Sequence, residues 1–481
     1  MKYLFNDGFH FLRTPLGTTY QQASGRLEEF QNVDIPHDWL IYDSNKLYED
    51  GIGWYEKRFF WKEPEGKRAF LTFEGIYMDS TVYVNGSKVG EWKYGYSSFT
   101  FEITDYLVQG ENQLFVSVCF QSPNSRWYSG AGIYRNVYLR VTESVCLKTD
   151  GIYVSAKRQG DDFMLRVETQ ILDKKTEQQS GADDAGMSTS SITIKHRLYE
   201  KTSECSGDST NSSYTITAGN VRGAEVSLTL VAQEKNVLTY LVNSPRLWDT
   251  ENPFLYTLHT QLYDGDQLLE EEDTTVGFRT VELSPEHGFY LNGRNMKLNG
   301  VCEHHDLGAV GAAFNRSAMK RKFRILKEMG VNAVRGAHNM MAPDALDLAD
   351  EMGILLISEA FDMWERPKTT YDYGRFFGEW WQKDVESWVC RDRNHPSVIL
   401  WSIGNEIYDT HAGERGQEIT RMLSDAVHTY DPEGNAAVTI GSNYMPWENA
   451  QKCADIIKIA GYNYSEKYYK EHNEKHPDWI I

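Results

Sequence analysis

Apolar positions recur with two different periods along this chain, and the change falls near residue 284. From residue 1 to 143 the runs are short, alternating and broken by turn residues. Ala69-Phe-Leu-Thr-Phe-Glu74, Ser80-Thr-Val-Tyr-Val84 and Gln113-Leu-Phe-Val-Ser-Val-Cys-Phe120 are examples. Alternation with period two marks strands that bury one face. Asn85-Gly86, directly after the second run, is a strong hairpin signal. No helix-period segment of useful length intervenes, so residues 1–143 are predicted to form a jelly-roll sandwich. Residues 146–280 repeat the pattern in Phe163–Thr169, Ile192–Ile194, Glu225–Val231 and Leu255–Leu262, which suits an immunoglobulin-like β-sandwich. Inside it, 173–191 and 201–213 are polar and poor in apolar residues, and read as mobile hairpin loops.

From 284 to 481 strands alternate with helices. The predicted strands are Asn295–Cys302, Val331–Val334, Ile354–Glu359, Ser397–Glu406, Ala437–Ile440 and Ile456–Ile459. The first helix is capped by Asn315, turns Met319, Phe323, Leu326 and Met329 to one face, and closes at Gly330. Pro343 opens the second, which carries Leu346, Leu348, Ala349 and Met352 before Gly353. The third aligns Trp381, Val385, Trp388 and Val389 ahead of His395-Pro396. This alternation implies a parallel sheet and a (β/α)8 TIM barrel. That barrel is incomplete at residue 481, because strand seven would only begin near Asp478-Trp-Ile-Ile481.

In such a barrel, chemistry sits where the strands' C-terminal tips converge. The tips carry Glu303-His304-His305-Asp306, then Arg335 and His338-Asn339, then Glu359, Asp362 and Trp364, then Asn405-Glu406, then Gly461-Tyr-Asn-Tyr464. Titratable and aromatic residues at tip after tip, above apolar strand interiors, mark a candidate active site. A carboxylic acid ringed by aromatics is what glycosidic cleavage needs as proton donor, and Glu406 occupies that position. Each residue also has a plainer role. Arg335 could simply pair with Glu359, or could touch substrate. Asp362 and Trp364 suit a sugar subsite, yet Trp364 could equally be core. His304 and His305 point to opposite faces of a strand, and the H-E-x-x-H spacing of a zinc site is absent.

The net charge of −20 argues against nucleic-acid or anionic-membrane partners. Six scattered cysteines, with no C-x-x-C pair, look like free thiols of a reducing compartment. The N-terminus has no apolar signal region, so a cytoplasmic protein is expected.

The motifs resemble those of glycoside hydrolase family 2, the group of β-galactosidases, β-glucuronidases and β-mannosidases. They run through Ile35-Pro-His-Asp-Trp39, Gly53-Trp-Tyr55, Val84-Asn-Gly86, Gly95-Tyr-Ser-Ser-Phe99 and Ser125-Arg-Trp-Tyr-Ser-Gly-Ala-Gly-Ile-Tyr-Arg135. They continue in Leu247-Trp-Asp-Thr-Glu-Asn-Pro-Phe-Leu-Tyr256, Val276-Gly-Phe-Arg279, Leu298-Asn-Gly-Val-Cys-Glu-His-His-Asp306, Arg335-Gly-Ala-His-Asn339 and Gly404-Asn-Glu406. The resemblance implies a retaining exo-β-glycosidase acting on a carbohydrate, with Glu406 as acid/base and Asn405 on the sugar 2-hydroxyl. It places His304 and His338 around the nonreducing sugar, Tyr464 near the nucleophile, and Arg126 with Trp127 on a loop reaching the site from the first domain. The nucleophile, a Glu at the tip of strand seven, is expected beyond residue 481. Glu359-Ala-Phe-Asp-Met-Trp364 lacks the magnesium ligands of some β-galactosidases, so neither a catalytic metal nor a cofactor is expected. A terminal β-galactoside is the first-choice substrate. β-Glucuronidase, β-mannosidase and a non-catalytic carbohydrate-binding protein are the alternatives, and a homo-oligomer is compatible with the resemblance.

Overall fold

The computed structural model describes residues 1–174, 191–202, 215–216 and 222–481. The two predicted polar loops, 173–191 and 201–213, fall largely outside the described residues. Alternating burial within each strand stacks two sheets in the first domain. One orders Lys2–Leu4, Val137–Thr142, Arg68–Phe73 and Phe99–Glu102. The other orders Gln31–Val33, Phe9–Thr14, Gly51–Trp61, Gly110–Phe120, Ser80–Val84 and Ser87–Trp92. Ser80–Val84 buries Ser80, Val82 and Val84 on one face. The hairpin after it has φ of 49° at Asn85 and 82° at Gly86, the two positive values that a tight two-residue turn demands.

The second domain packs two four-stranded sheets around Leu147, Phe163, Leu165, Val167, Leu198, Leu258 and Phe278. The expected strand Glu225–Val231 is in fact two. Arg222–Val226 pairs with Ile192–Lys201, whereas Thr229–Glu234 pairs with Val237–Val242 in the opposite sheet. Every residue of Thr229–Glu234 is exposed, so its apolar alternation was no signal of burial. The pattern therefore hid the crossing.

A three-stranded meander, Val281–Ser284, Gly288–Leu291 and Arg294–Asn295, leads into the barrel. Its Phe289 and Leu291 pack with Ala333, Leu355, Ile399 and Leu400. The predicted strand Asn295–Cys302 is thus divided, with Asn295 in the meander and the barrel strand restricted to Gly300–Glu303. Five further strands follow in parallel order: Ala333–Gly336, Leu355–Glu359, Val398–Asn405, Ala437–Ser442 and Ala460–Tyr462. All of Val398–Asn405 is buried, as a continuous apolar run in a covered parallel sheet should be.

Strand six differs from expectation, because Ile456–Ile457 closes helix Glu448–Ile457 on the face of Ala450, Cys453 and Ala454. Lys458, left-handed at φ 64°, ends the helix before Ala460–Tyr462. A short apolar run cannot distinguish a strand from a last helical turn. Ile480 pairs in parallel with Ile459, where strand seven was expected to begin.

Helix Arg316–Glu328 is capped by Asn315, whose side chain accepts from the Ala318 N–H at 2.9 Å. Its expected fourth face residue, Met329, lies past the last turn and is 71% exposed. In helix Gly374–Asp392, Trp380 and Phe377 join Val385 and Trp388 in the core, leaving Trp381 half-buried. Among the described residues no helix is long and apolar enough to cross a membrane.

The first domain and the barrel share one apolar core, in which Tyr94 and Tyr96 meet Met340, Phe361 and Tyr373. Arg135 donates to the Met340 carbonyl at 2.6 Å across this seam. Asp384 lies at the same seam and accepts from Trp92 Nε1 at 2.9 Å, Ser97 Oγ at 2.6 Å and the Tyr373 hydroxyl. Burial pushes its carboxyl up to about 6, against the pull of those donors. The unfolded chain therefore releases this proton first, near pH 4, and the group costs stability as pH rises from about 4 to about 6. Asp384→Asn should flatten that dependence, so its melting temperature shifts less than the parent's over the same pH range. Identical pH slopes for parent and variant would reject this assignment.

Candidate active site

Strand four ends in an irregularity that aims its carboxylate. Its pairing with strand five shifts register between Ser402 and Asn405, a device that redirects side chains beside active sites. Glu406 follows in the left-handed region, φ 47°, uncommon for a residue with a Cβ. The Glu406 N–H donates to the Gly441 carbonyl at 2.7 Å, fixing the turn. The side chain is largely buried, with Oε1 accepting from Asn463 Nδ2 and Oε2 from Arg126 Nη1, both at 3.2 Å.

Asn405, fully buried, is held on both ends of its amide. Nδ2 donates to Asp362 Oδ1 at 2.8 Å, and Oδ1 accepts from Arg335 Nη2 at 2.8 Å and Asn463 Nδ2 at 2.9 Å. Asp362 in turn takes Arg126 Nη2 at 2.7 Å, Arg126 Nε at 3.2 Å and Lys368 Nζ at 2.8 Å. Lys368 also reaches the Asn405 carbonyl at 2.8 Å. Burial lowers the Lys368 ammonium from its ordinary value, and the Asp362 charge offsets only part of this.

Beneath lies Glu359, with none of its surface exposed. Arg335 Nε and Nη2 approach Glu359 Oε2 at 2.8 and 2.7 Å, Ser402 Oγ donates to it at 2.5 Å, and His338 Nδ1 lies 2.6 Å from Oε1. Burial alone would raise this carboxyl, but the Arg335 charge and the bonds from His338 and Ser402 hold it below its ordinary value. Of the two roles open to Arg335, the structure shows the pairing with Glu359.

The adjacent histidines, just past the strand end at Glu303, pack against different aromatic groups. His304 stacks on Trp127 with ring centroids 5.0 Å apart and lies 5.7 Å from the His338 ring. Burial, then the neighbouring His338, lowers its affinity for a proton, favouring the neutral ring. His305 faces the packing, against the Tyr96 and Tyr134 rings, with Nε2–H donating to the Ser129 carbonyl at 2.9 Å. Its burial pushes the imidazole down to about 4.

Arg126 and Trp127 arrive on a first-domain loop that Asp38 secures. Asp38 Oδ2 accepts from the Tyr128 hydroxyl at 2.6 Å and from Ala312 N–H in the barrel at 2.9 Å. Oδ1 accepts from Ala131 N–H at 3.0 Å and Leu40 N–H at 3.1 Å. The Ile35-Pro-His-Asp-Trp39 motif is therefore an anchor for a site loop.

Two expected substrate residues take no part in this hydrogen-bond network. Trp364 is fully buried, with Nε1–H donating to the Ile403 carbonyl at 2.9 Å, and so takes the core role of its two options. Tyr464 is 88% exposed and makes neither of the hydrogen bonds that hold Glu406. Its neighbour Asn463 provides the contact instead. Strand six ends at Tyr462 and Tyr464 is left-handed at φ 54°, so its side chain does not follow the strand's alternation. Lys368 lies in an aperiodic loop whose sequence carried no signal for it. Among the described residues, the group spaced to hold a metal is Asp347, Asp350 and His395. Asp350 outweighs burial there and raises His395 to about 9, with Nδ1 2.6 Å from Asp350 Oδ2.

Comparison with known proteins places these features. Family models described as Glycosyl hydrolases family 2, sugar binding domain, Glycosyl hydrolases family 2, and Glycosyl hydrolases family 2, TIM barrel domain match residues 19–143, 165–279 and 281–477. The chain belongs to glycoside hydrolase family 2. This family 2 chain is 35% identical to the β-galactosidase BoGH2A of Bacteroides ovatus, over 91% of its own length and 54% of that protein. It is 28% identical to a β-glucuronidase of Bacteroides fragilis, over 84% and 57% of the two lengths. It thus spans about half the length of these curated relatives. A solved family 2 structure from Bacteroides cellulosilyticus superposes with a TM-score of 0.86 at 32% identity, covering 100% of this chain and 61% of that one. The jelly roll, immunoglobulin-like sandwich and partial TIM barrel are the family's architecture.

Arg335→Met in this family 2 chain would leave Glu359 buried without its counter-charge. Such a loss destabilises by about 3–5 kcal/mol, measurable by denaturant unfolding; a loss below about 1 kcal/mol would show that the pair does not brace the site.

Proposed function

We propose that this chain carries the acid/base half of a retaining, exo-acting β-glycosidase whose substrates are terminal β-galactosides. The observation supporting the reading is the placement of Glu406, a largely buried carboxyl at the strand-four tip, bracketed by Asn463 and Arg126. Arg126 keeps its two contacts to Asp362 when it releases Glu406. The oxygen thereby freed can hold a proton and deliver it to the departing alcohol oxygen. Asn405 Nδ2 commits one hydrogen to Asp362, so its second is available to the sugar 2-hydroxyl. His304 and His338 line the same region beside Trp127 and meet further hydroxyls.

Retention requires a second carboxyl about 5–5.5 Å from the first. Glu359 is neutralised by Arg335 and hydrogen-bonded to His338, and Asp362 is neutralised by Arg126 and Lys368. Neither suits a nucleophile, which this reading therefore assigns to the tip of strand seven. A neutral sugar is favoured because Arg126, Arg335 and Lys368 are each already committed to a carboxylate. A uronate would need an uncommitted cation. The 35% identity to a β-galactosidase supports the same choice.

Two outcomes are expected. The 481-residue chain alone should not cleave an aryl β-galactoside, and measurable turnover by it would assign the nucleophile to a residue within 1–481. In the full-length enzyme, Glu406→Gln should lower kcat/KM for an alkyl β-galactoside by about 10²–10⁴-fold. The loss should be far smaller for a dinitrophenyl galactoside, whose leaving group needs no proton. Equal losses on both substrates would remove Glu406 from the acid/base role.

A further inference from the structure

Beyond the sugar pocket, on the side of Glu406 toward strand five, four aromatic rings gather at the barrel mouth. Tyr408 follows the catalytic carboxylate by two residues, and its ring lies 5.8 Å from Lys368 Nζ, the same ammonium that holds Asp362 and Asn405. Tyr444 follows the strand-five tip, next to the Gly441 carbonyl that fixes Glu406. It is close enough to Glu406 and Arg126 to feel both charges. The His411 and Tyr444 centroids are 4.0 Å apart, the Trp447 ring stands edge-on to His411 at 4.9 Å, and Tyr408 lies 6.3 Å from Tyr444.

The cluster is open but not loose. Trp447 is 54% and Tyr408 38% exposed. Trp447 N–H donates to the Tyr444 carbonyl at 2.8 Å, and the Trp447 carbonyl accepts from Gln451 N–H at 3.0 Å. Asn449 Nδ2 reaches the His411 carbonyl at 3.3 Å, joining the loop after strand four to the helix after strand five. Exposed aromatics grouped on a fixed support are characteristic of a binding surface rather than of packing. Two polar atoms at the cluster, His411 Nδ1 and Asn443 Oδ1, are buried without a hydrogen-bond partner. Orphaned polar atoms of this kind call for an explanation, and a hydroxylated ligand inserted beside the rings would supply one.

We propose that Tyr408, His411, Tyr444 and Trp447 form the subsite for the leaving group, and that this group is a pyranose ring. The proposal rests on the glycosidase reading of Glu406. A pyranose offers a C–H face to Trp447 and Tyr444 and hydroxyls to His411 and Asn443, whereas a plain aryl group would leave both polar atoms unpaired. The position agrees with the chemistry: the proton on Glu406 passes to the oxygen joining the two sugars, so the departing ring must lie on the far side of that carboxyl from His304 and His338.

The decisive comparison uses the full-length enzyme and its Trp447→Ala and Tyr444→Ala variants on two substrates with the same cleaved sugar. One is a β-linked disaccharide and the other is the glycosyl fluoride, whose leaving group has no ring. Each variant should lose about tenfold in kcat/KM on the disaccharide and keep the fluoride rate within about twofold. Equal losses on both, or no loss on the disaccharide, would overturn the assignment, as would a loss confined to a nitrophenyl glycoside. Saturation-transfer NMR with a methyl β-pyranoside on the 481-residue chain gives a readout that needs no turnover. Ring-proton transfer in the parent that disappears in Trp447→Ala supports the subsite, and transfer absent from the parent or surviving in the variant refutes it. Failure of every substrate in the parent enzyme, with the NMR signal intact, would count against the glycosidase reading and leave the ring subsite standing.

Discussion

A single run of alternating charges and amides organises the barrel mouth: Glu359, Arg335, Asn405, Asp362, Arg126 and Glu406, each bonded to the next. Burying charges is expensive unless each is matched and its remaining hydrogen-bonding capacity is met. Here Ser402, His338, Lys368 and Asn463 complete the matching. The run crosses strands two, three and four and passes through Arg126, on a loop of the first domain, before it reaches Glu406. The orientation of the acid is thus a property of the whole network rather than of the left-handed residue that carries it.

The same network explains which site residues could be read from the sequence. Those at strand tips, Arg335, Glu359, Asn405 and Glu406, were visible because a polar residue after an apolar run is conspicuous. His304 and His305 separate as expected, one against Trp127 and the other against Tyr96 and Tyr134, although the strand itself stops at Glu303. At Asn463-Tyr464 the strand has already ended and Tyr464 is left-handed, so no alternation pointed to the asparagine that bonds Glu406. Trp364 shows the opposite limit. An indole after a strand tip satisfies either a core or a sugar subsite, and only the carbonyl of Ile403 decides between them. Lys368 had no pattern to betray it.

At the level of fold, period two and period 3.6 told the two β-sandwiches from the partial TIM barrel. The errors came where apolar runs were short or continuous across a break. Glu225–Val231 crosses between sheets, Asn295 belongs to the meander, and Ile456–Ile457 finishes a helix. Each segment satisfies local periodicity while tertiary pairing decides where its hydrogen bonds go. Met329 failed for a related reason, since helical spacing extends a face on paper beyond the turn at which the helix stops.

Asp38 accepts two bonds within the loop bearing Arg126, one from its own turn and one from the Ala312 amide of the barrel. One carboxylate of the jelly roll thereby registers a foreign backbone as well as its own, while Arg126 completes the charge balance of barrel residues. The two modules are consequently coupled through this one loop. A recombination event that grafted another sandwich onto this barrel would have to import the anchor, the loop and the guanidinium together, or else leave Asp362 with Lys368 as its only cation.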